Sequence, residues 1–177
     1  MVKQYGFLID SERCVDCRAC VVACKSAHNL ELGLAWRRVS TTWKGEFPAV
    51  TFRSASMSCN HCAVPACVPV CPSGAIVKRS KDGVVVVNSG ICVGCRACEA
   101  ACPYHAPQFG KDTHMQKCDL CIDRIEAGKK PACISTCSAG AIAFGPMDEL
   151  PALAGKRAIK QLEGASKPSI FVTLSGA

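Results

Sequence analysis

The sequence predicts an α+β fold of short strands and short helices, held together by bound metal more than by a large apolar core. Three observations carry that expectation. Sixteen of the 177 residues are cysteine. They fall into four spaced groups that use every one of them. Between the groups lie strand-sized apolar runs and hairpin signals such as Asp82-Gly83.

The third group sets the chemistry. Cys92, Cys95, Cys98 and Cys102-Pro103 read C-x2-C-x2-C-x3-C-P, a run that holds iron–sulfur clusters. Three thiolates at three-residue intervals on a tight loop can cup one face of a cuboidal cluster. The fourth, one turn further on, points away and serves a neighbouring cluster. A motif that lends its last cysteine implies another that returns the exchange. The first group, Cys14, Cys17, Cys20 and Cys24, has the same spacing, and eight of the eleven positions 14–24 match 92–102, Arg18 and Arg96 included. The lead-ins match too, Leu8-Ile9-Asp10-Ser11 against Val86-Val87-Asn88-Ser89. The second group is Cys59-x2-Cys62-x4-Cys67-x3-Cys71 and the fourth is Cys118-x2-Cys121-x11-Cys133-x3-Cys137, and both run on into Gly-Ala-Ile. The chain therefore repeats as first type, second type, first type, second type.

Composition excludes several classes. A disulfide scaffold needs an oxidising compartment, and Met1 to Phe7 carries no apolar signal segment. No run approaches the length of a membrane span, so no direct membrane insertion is expected and the location read from the sequence is cytoplasmic, or exported together with a partner that carries the signal. The formal charge of +7 looks like a nucleic-acid signature. Four clusters with their thiolates bring about −8, however, and leave the loaded chain near about −1. The basic residues are then counter-charge, and no nucleic acid is expected.

The elements follow in order. Phe7-Leu8-Ile9 reads as a buried strand closed by an Asp10-Ser11 turn or cap. Residues 25–58 lack cysteine, and Trp36 to Trp43 with Ala49 to Phe52 predict a hairpin around Lys44-Gly45. Arg37 and Arg38, with Trp36 and Trp43, either face a partner or cover a cluster. Ile76 to Arg79 and Val84 to Val87 flank Asp82-Gly83 as a second hairpin. After Pro146, residues Asp148 to Ala154 and Lys156 to Glu163 read as helical, and Ile170 to Leu174 as a closing strand.

Zinc competes with iron for the fourth group alone, where C-x2-C and a spaced C-x3-C are ribbon-like. Three cysteines at three-residue intervals exceed what a zinc knuckle needs, and sixteen divides into four cubes with nothing left over. The expectation is four [4Fe–4S] clusters, with iron bound through the sixteen cysteines. His61 and His105 are read as tuning a cluster by hydrogen bonding or charge, His28 and His114 as surface or structural. Arg18, Arg96, Lys117 and Lys25 adjoin cysteines, as tuning charges or as a solvated face. No Gly-rich nucleotide loop and no nucleophile–base arrangement accompanies the clusters, so no catalytic residue is assigned. One-electron cofactors without substrate chemistry make an electron conduit.

The motif order, together with Ser58-Cys59-Asn60-His61-Cys62, Cys71-Pro72-Ser73-Gly74-Ala75, Cys102-Pro103-Tyr104 and Phe144-Gly145-Pro146, resembles the iron–sulfur electron-transfer subunits of the dimethyl sulfoxide reductase family from Gln4 to about Leu174. That resemblance implies two ferredoxin-like modules related by a pseudo-two-fold axis, each holding two clusters, with small hairpin insertions. The outer module would comprise 1–29 plus 112–146, the inner 59–111, with an insertion at 30–58 and helices and a strand over 147–177. Cluster a would bind Cys14, Cys17, Cys20 and Cys137. Cluster b would take Cys24, Cys118, Cys121 and Cys133. Cluster c would take Cys59, Cys62, Cys67 and Cys102, and cluster d Cys71, Cys92, Cys95 and Cys98.

The resemblance also implies a role and partners. The chain would relay electrons between a molybdenum or tungsten pterin catalytic subunit, of reductase or of aldehyde or formate oxidoreductase type, and a second redox partner. That partner would be a flavin subunit, a quinone-reactive subunit or a soluble carrier, and the ending at Ala177 favours a soluble one. End-to-end self-association is also compatible. The alternatives are a free polyferredoxin and, from another class, a zinc-stabilised interaction module. The terminal clusters are expected beside 25–58 and 122–132, where Lys129 and Lys130 would steer a partner.

Overall fold

The structure is a computed structural model and describes residues 3–174. Met1-Val2, part of the stretch read as lacking a signal, and Ser175-Gly176-Ala177, read as too short for a reaching tail, lie outside the described residues.

Strand β1 (Tyr5–Ile9) leads to the first motif, whose Cys20 and Cys24 lie on α1 (Ala19–Ala27). Strands β2 (Arg38–Lys44) and β3 (Thr51–Met57) form the expected first hairpin. After the second motif, β4 (Ile76–Lys78) and β5 (Val85–Val87) form the second hairpin. The third motif continues into α2 (Ala97–Ala101), and the small β6 (Gln108–Phe109) and β7 (Met115–Gln116) pair delivers the chain to the fourth. That motif contains α3 (Ile122–Glu126) and α4 (Ala132–Ser135). The chain closes with β8 (Ile142–Pro146), α5 (Leu150–Leu153), β9 (Ile159–Gln161) and β10 (Ile170–Thr173).

One four-stranded sheet, in the order β8-β1-β10-β9, joins the two ends of the chain. β1 runs antiparallel to β8 and parallel to β10. The uninterrupted run Phe7-Leu8-Ile9 suits this central position, because both faces of β1 are covered. Phe7 and Ile9 enter the main core with Cys20, Cys118 and Cys133, whereas Leu8 packs with Leu150 and Ala154 on the other side. Burying each such side chain stabilises the fold by about 1.5–3 kcal/mol. A separate small core of Ile76, Val85, Cys98 and Met115 supports the second hairpin.

The two strands that lead into C-x2-C-x2-C motifs end alike. The Asp10 amide donates to Ala141 O and the Asn88 amide to Ala75 O, each at 2.8 Å. Asp10 Oδ1 then accepts from the amides of Glu12 and Arg13, and Asn88 Oδ1 from that of Gly90. These side-chain turns aim the chain at the cysteine loops.

The C-terminal reading needs one correction. Lys156 to Glu163 is not a helix; Ile159–Gln161 is strand β9, paired antiparallel with Phe171–Thr173. The charged spacing of Lys156, Lys160 and Glu163 suits either period, and the free edge of β10 decides it.

Candidate functional site

The structure gathers cysteines from different motifs. Cys14, Cys17 and Cys20 share a cavity with Cys137; Cys59, Cys62 and Cys67 share one with Cys102; and Cys92, Cys95 and Cys98 share one with Cys71. Cys24, Cys118, Cys121 and Cys133 are buried, and the charge on Cys133 bears on each of the other three. These four groupings are called sets a, c, d and b in that order.

The Gly-Ala-Ile phrase has a local physical reason. Gly74 and Gly140 adopt φ of 65° and 60°, a left-handed conformation that costs glycine little. The turn lets the Ala141 amide donate to Cys137 Sγ at 3.2 Å. Around Cys71, burial acts upward on the thiol pKa, but the Ser73 hydroxyl and the amides of Ile76, Ala75 and Ser73 outweigh it and bring it down. At seven other cysteines burial prevails. It pushes Cys24 and Cys67 up to about 12, with neighbouring cysteine charge adding to the effect, and Cys118 further still. Cys14, Cys62, Cys98 and Cys121 are also raised, chiefly by burial. Iron must displace these protons to bind.

Several observations fit a [4Fe–4S] guest. Sulfur is the donor type such clusters take, and all sixteen cysteines are free of disulfides. Asn60 lines the set c cavity, yet neither atom of its buried amide has a hydrogen-bond partner. Such a group is costly unless paired, and the sulfides of a cluster would accept from its Nδ2. Two buried cations, Arg37 and Lys117, make no ion pair with a carboxylate among the described residues.

Arg37 corrects the partner-facing reading. It is 1% exposed, donates to Ser56 O at 2.9 Å, Ser56 Oγ at 3.2 Å and Ser58 Oγ at 3.1 Å, and lies 4.7 Å over the Phe7 ring. Ser56 Oγ is in turn 3.2 Å from Cys20 Sγ. Lys117 Nζ donates to Val85 O and Cys118 O. Arg18 and Arg96, by contrast, begin α1 and α2 in left-handed conformation and form exposed pairs with Asp16 and Glu99. Lys25 ties the chain after α1 by donating to Glu31 O and Leu34 O.

The histidines divide differently from the sequence reading. His28 Nε2 lies 3.3 Å from Cys121 Sγ and 3.6 Å from Asp119 Oδ1, with its ring 4.5 Å from that of Trp36. No sequence signal marks this contact, because the partners are 93 positions apart. His61 is fully buried; burial, Lys117 and Lys78 hold its pKa well below the ordinary imidazole range. The Val85 amide donates to its Nδ1, so the neutral ring carries its proton on Nε2, which has no hydrogen-bond partner among the described residues. His105 offers its carbonyl to Arg38, and His114 is half-exposed beside Asp112.

The chain matches the 4Fe-4S dicluster domain family over residues 50–147 and the 4Fe-4S binding domain family over residues 5–26. With the cysteine geometry, this defines an iron–sulfur protein of the ferredoxin-like α+β class, whose sixteen cysteines fit four [4Fe–4S] clusters. It is 47% identical over 159 residues to the B subunit of anaerobic dimethyl sulfoxide reductase of Escherichia coli, spanning 85% of this chain and 77% of that protein. The corresponding subunit of Haemophilus influenzae is 41% identical over 194 residues, spanning 99% and 94%. Protein NrfC of Escherichia coli is 38% identical over 149 residues, spanning 82% and 67%. The chain belongs to the family of anaerobic dimethyl sulfoxide reductase B subunits and is an iron–sulfur electron-transfer subunit of that type. No helix among the described residues is long and apolar enough to cross a membrane.

Proposed function

We propose that the chain relays electrons along a row of four [4Fe–4S] clusters, between a molybdenum or tungsten pterin catalytic subunit and a second redox partner, without a catalytic site of its own. The observation that carries this reading is the gathering of sixteen cysteines into four sets of four, with the exposed members at two separate sets. When bound, such clusters take up and release single electrons. The ligands proposed are Cys14, Cys17, Cys20 and Cys137 for set a, Cys24, Cys118, Cys121 and Cys133 for set b, Cys59, Cys62, Cys67 and Cys102 for set c, and Cys71, Cys92, Cys95 and Cys98 for set d.

Neighbour relations support the order a, b, c, d. Arg37 senses cysteines of both a and b. Cys118 of set b senses Cys59 of set c, and the two share a core. Cys67 of set c packs, as Cys71 and Cys92 of set d do, against the small core that contains Cys98 of set d. Cys17 and Cys95 are exposed and belong to a and d, whereas all four cysteines of set b are buried. A middle without an exposed cysteine, between two ends that each have one, suits a conduit with two partners. It also moves the proposed exit points away from residues 122–132, which lie within set b.

The strand pairings favour two modules related by a pseudo-two-fold axis. In each, a strand before a first-type motif pairs with one after a second-type motif, Ile9 with Ile142 and Val87 with Ile76. The module limits of the sequence reading are kept as part of the proposal.

Purified anaerobically, the protein should contain about 16 iron and about 16 sulfide per chain. Substantial zinc with little iron would instead favour the interaction-module alternative. Copurification with a subunit containing molybdenum or tungsten distinguishes the conduit from a free carrier.

A further inference from the structure

Arg37 is a charge without a conventional counter-ion. A buried cation is costly unless it is paired as well as hydrogen-bonded, and arginine does not escape the cost by losing its proton. Its hydrogen bonds all go to neutral oxygens, of Ser56 and Ser58. No ion pair to a carboxylate is present among the described residues. Around it lie sulfurs: Ser56 Oγ, to which it donates, is 3.2 Å from Cys20 Sγ of set a, and Phe7, on which it stacks, shares the core with Cys118 and Cys133 of set b.

A bound cluster keeps its cysteines as thiolates and carries net negative charge. It therefore supplies what the guanidinium lacks.

We propose that Arg37 is the internal counter-ion of the clusters in sets a and b, and that it holds both their reduction potentials up. The inference rests on the four-cluster reading of the sixteen cysteines. Arg37 acts by two routes. Its charge lies over Phe7 in the core that also holds Cys118 and Cys133 of set b, and through Ser56 it fixes a hydroxyl against Cys20 Sγ of set a, 3.2 Å from each. Reduction adds an electron to an already anionic centre, so a fixed cation favours the reduced form, as does a hydrogen bond to a ligand sulfur. The same cation lies between two centres that would otherwise oppose each other's reduction. Arg37 is a positioning and charge-compensating residue, not a ligand.

The test is a redox titration of the anaerobically purified holoprotein followed by electron paramagnetic resonance, with iron and sulfide measured on each sample. Arg37→Met should lower two of the four midpoint potentials and leave the other two in place. Arg37→Lys keeps the charge but not the paired bonds to Ser56 and Ser58, and should restore one of the two. Ser56→Ala should lower one midpoint alone. If Arg37→Met does not hold its clusters, the lysine and Ser56 variants still decide the matter through their potentials. Four clusters with unmoved midpoints in these variants, or an equal shift of all four, would overturn the role of Arg37 alone. Wild-type protein without iron would overturn the cluster reading and this inference with it.

Discussion

Ile9 stands opposite Ile142 in the β1–β8 pair, so the strand that opens the first cysteine motif is fastened to the strand that closes the fourth. That pairing brings Cys14, Cys17 and Cys20 to Cys137, and Ile9 is itself 1% exposed in the core beside Cys20 and Cys133. Ile9→Ala should therefore cost about 2–5 kcal/mol, the range for emptying such a site. Thermal unfolding of the loaded protein would register it. Iron should be lost last from set d, whose Cys98, Cys71 and Cys92 lie in or against the separate core of the β4–β5 hairpin.

Motif exchange gives a second expectation. Cys102 ends the third motif but lines the cavity of Cys59, Cys62 and Cys67, whereas Cys92, Cys95 and Cys98 face Cys71. Cys102→Ala should disturb the cluster of set c and spare that of set d. Complete loss would remove about four irons per chain. Loss of the set d signal instead would mean that each motif serves its own cluster.

The four cysteine motifs and the two hairpins, around Lys44-Gly45 and Asp82-Gly83, were legible before any coordinates because these signals are local, whereas the grouping of the cysteines into sets came from the family resemblance. Arg37 was legible only in part: facing a partner and covering a cluster were both open, and its burial in one core with Cys20, Cys118 and Cys133 depends on remote motifs converging. His28 was hidden for the same reason, its partner Cys121 being 93 positions away. Strand β9 was missed because only its neighbour β10 decides between helix and strand for Lys156 to Glu163; tertiary context outweighs so weak a local preference.

Iron retention should depend on pH in a definite direction. Cys24 rises from 9.0 to about 12 in the metal-free fold, mainly through burial. A raised pKa stabilises that fold below about pH 9 and loses its contribution as the pH climbs toward about 12. The loaded protein holds the same sulfur as thiolate and gains nothing from the proton. Loading therefore becomes more favourable as the pH rises across this range, and acid works against it. At equilibrium with a fixed concentration of iron chelator, the fraction of iron retained should increase from about pH 6.5 to about 8.5. A flat or falling curve, corrected for the chelator's own protonation, would contradict the thiol protonation described.

The last expectation concerns where electrons enter and leave. Tunnelling falls off exponentially with distance, so partners must approach the exposed members of the row, Cys17 and Cys95. Val15 and Val93 occupy equivalent positions in the two first-type motifs and are 59% and 66% exposed. An isolated exposed valine is unremarkable, but here each lies two residues before an exposed cysteine and would be covered by a docked partner. A carboxylate at the centre of such a contact would be desolvated without a counter-charge. Val15→Glu should slow exchange with one partner and Val93→Glu with the other, each with clusters and folding intact. Charge reversal at Lys129 and Lys130, in the loop between Cys121 and Cys133, is the informative comparison. The sequence alone suggested that these lysines steer a partner, whereas the burial of all four set b cysteines argues that they do not. Stopped-flow transfer to each partner at low and high salt separates the two. Slowing by the lysine variant at low salt only, with both valine variants unaffected, would move the docking face to set b.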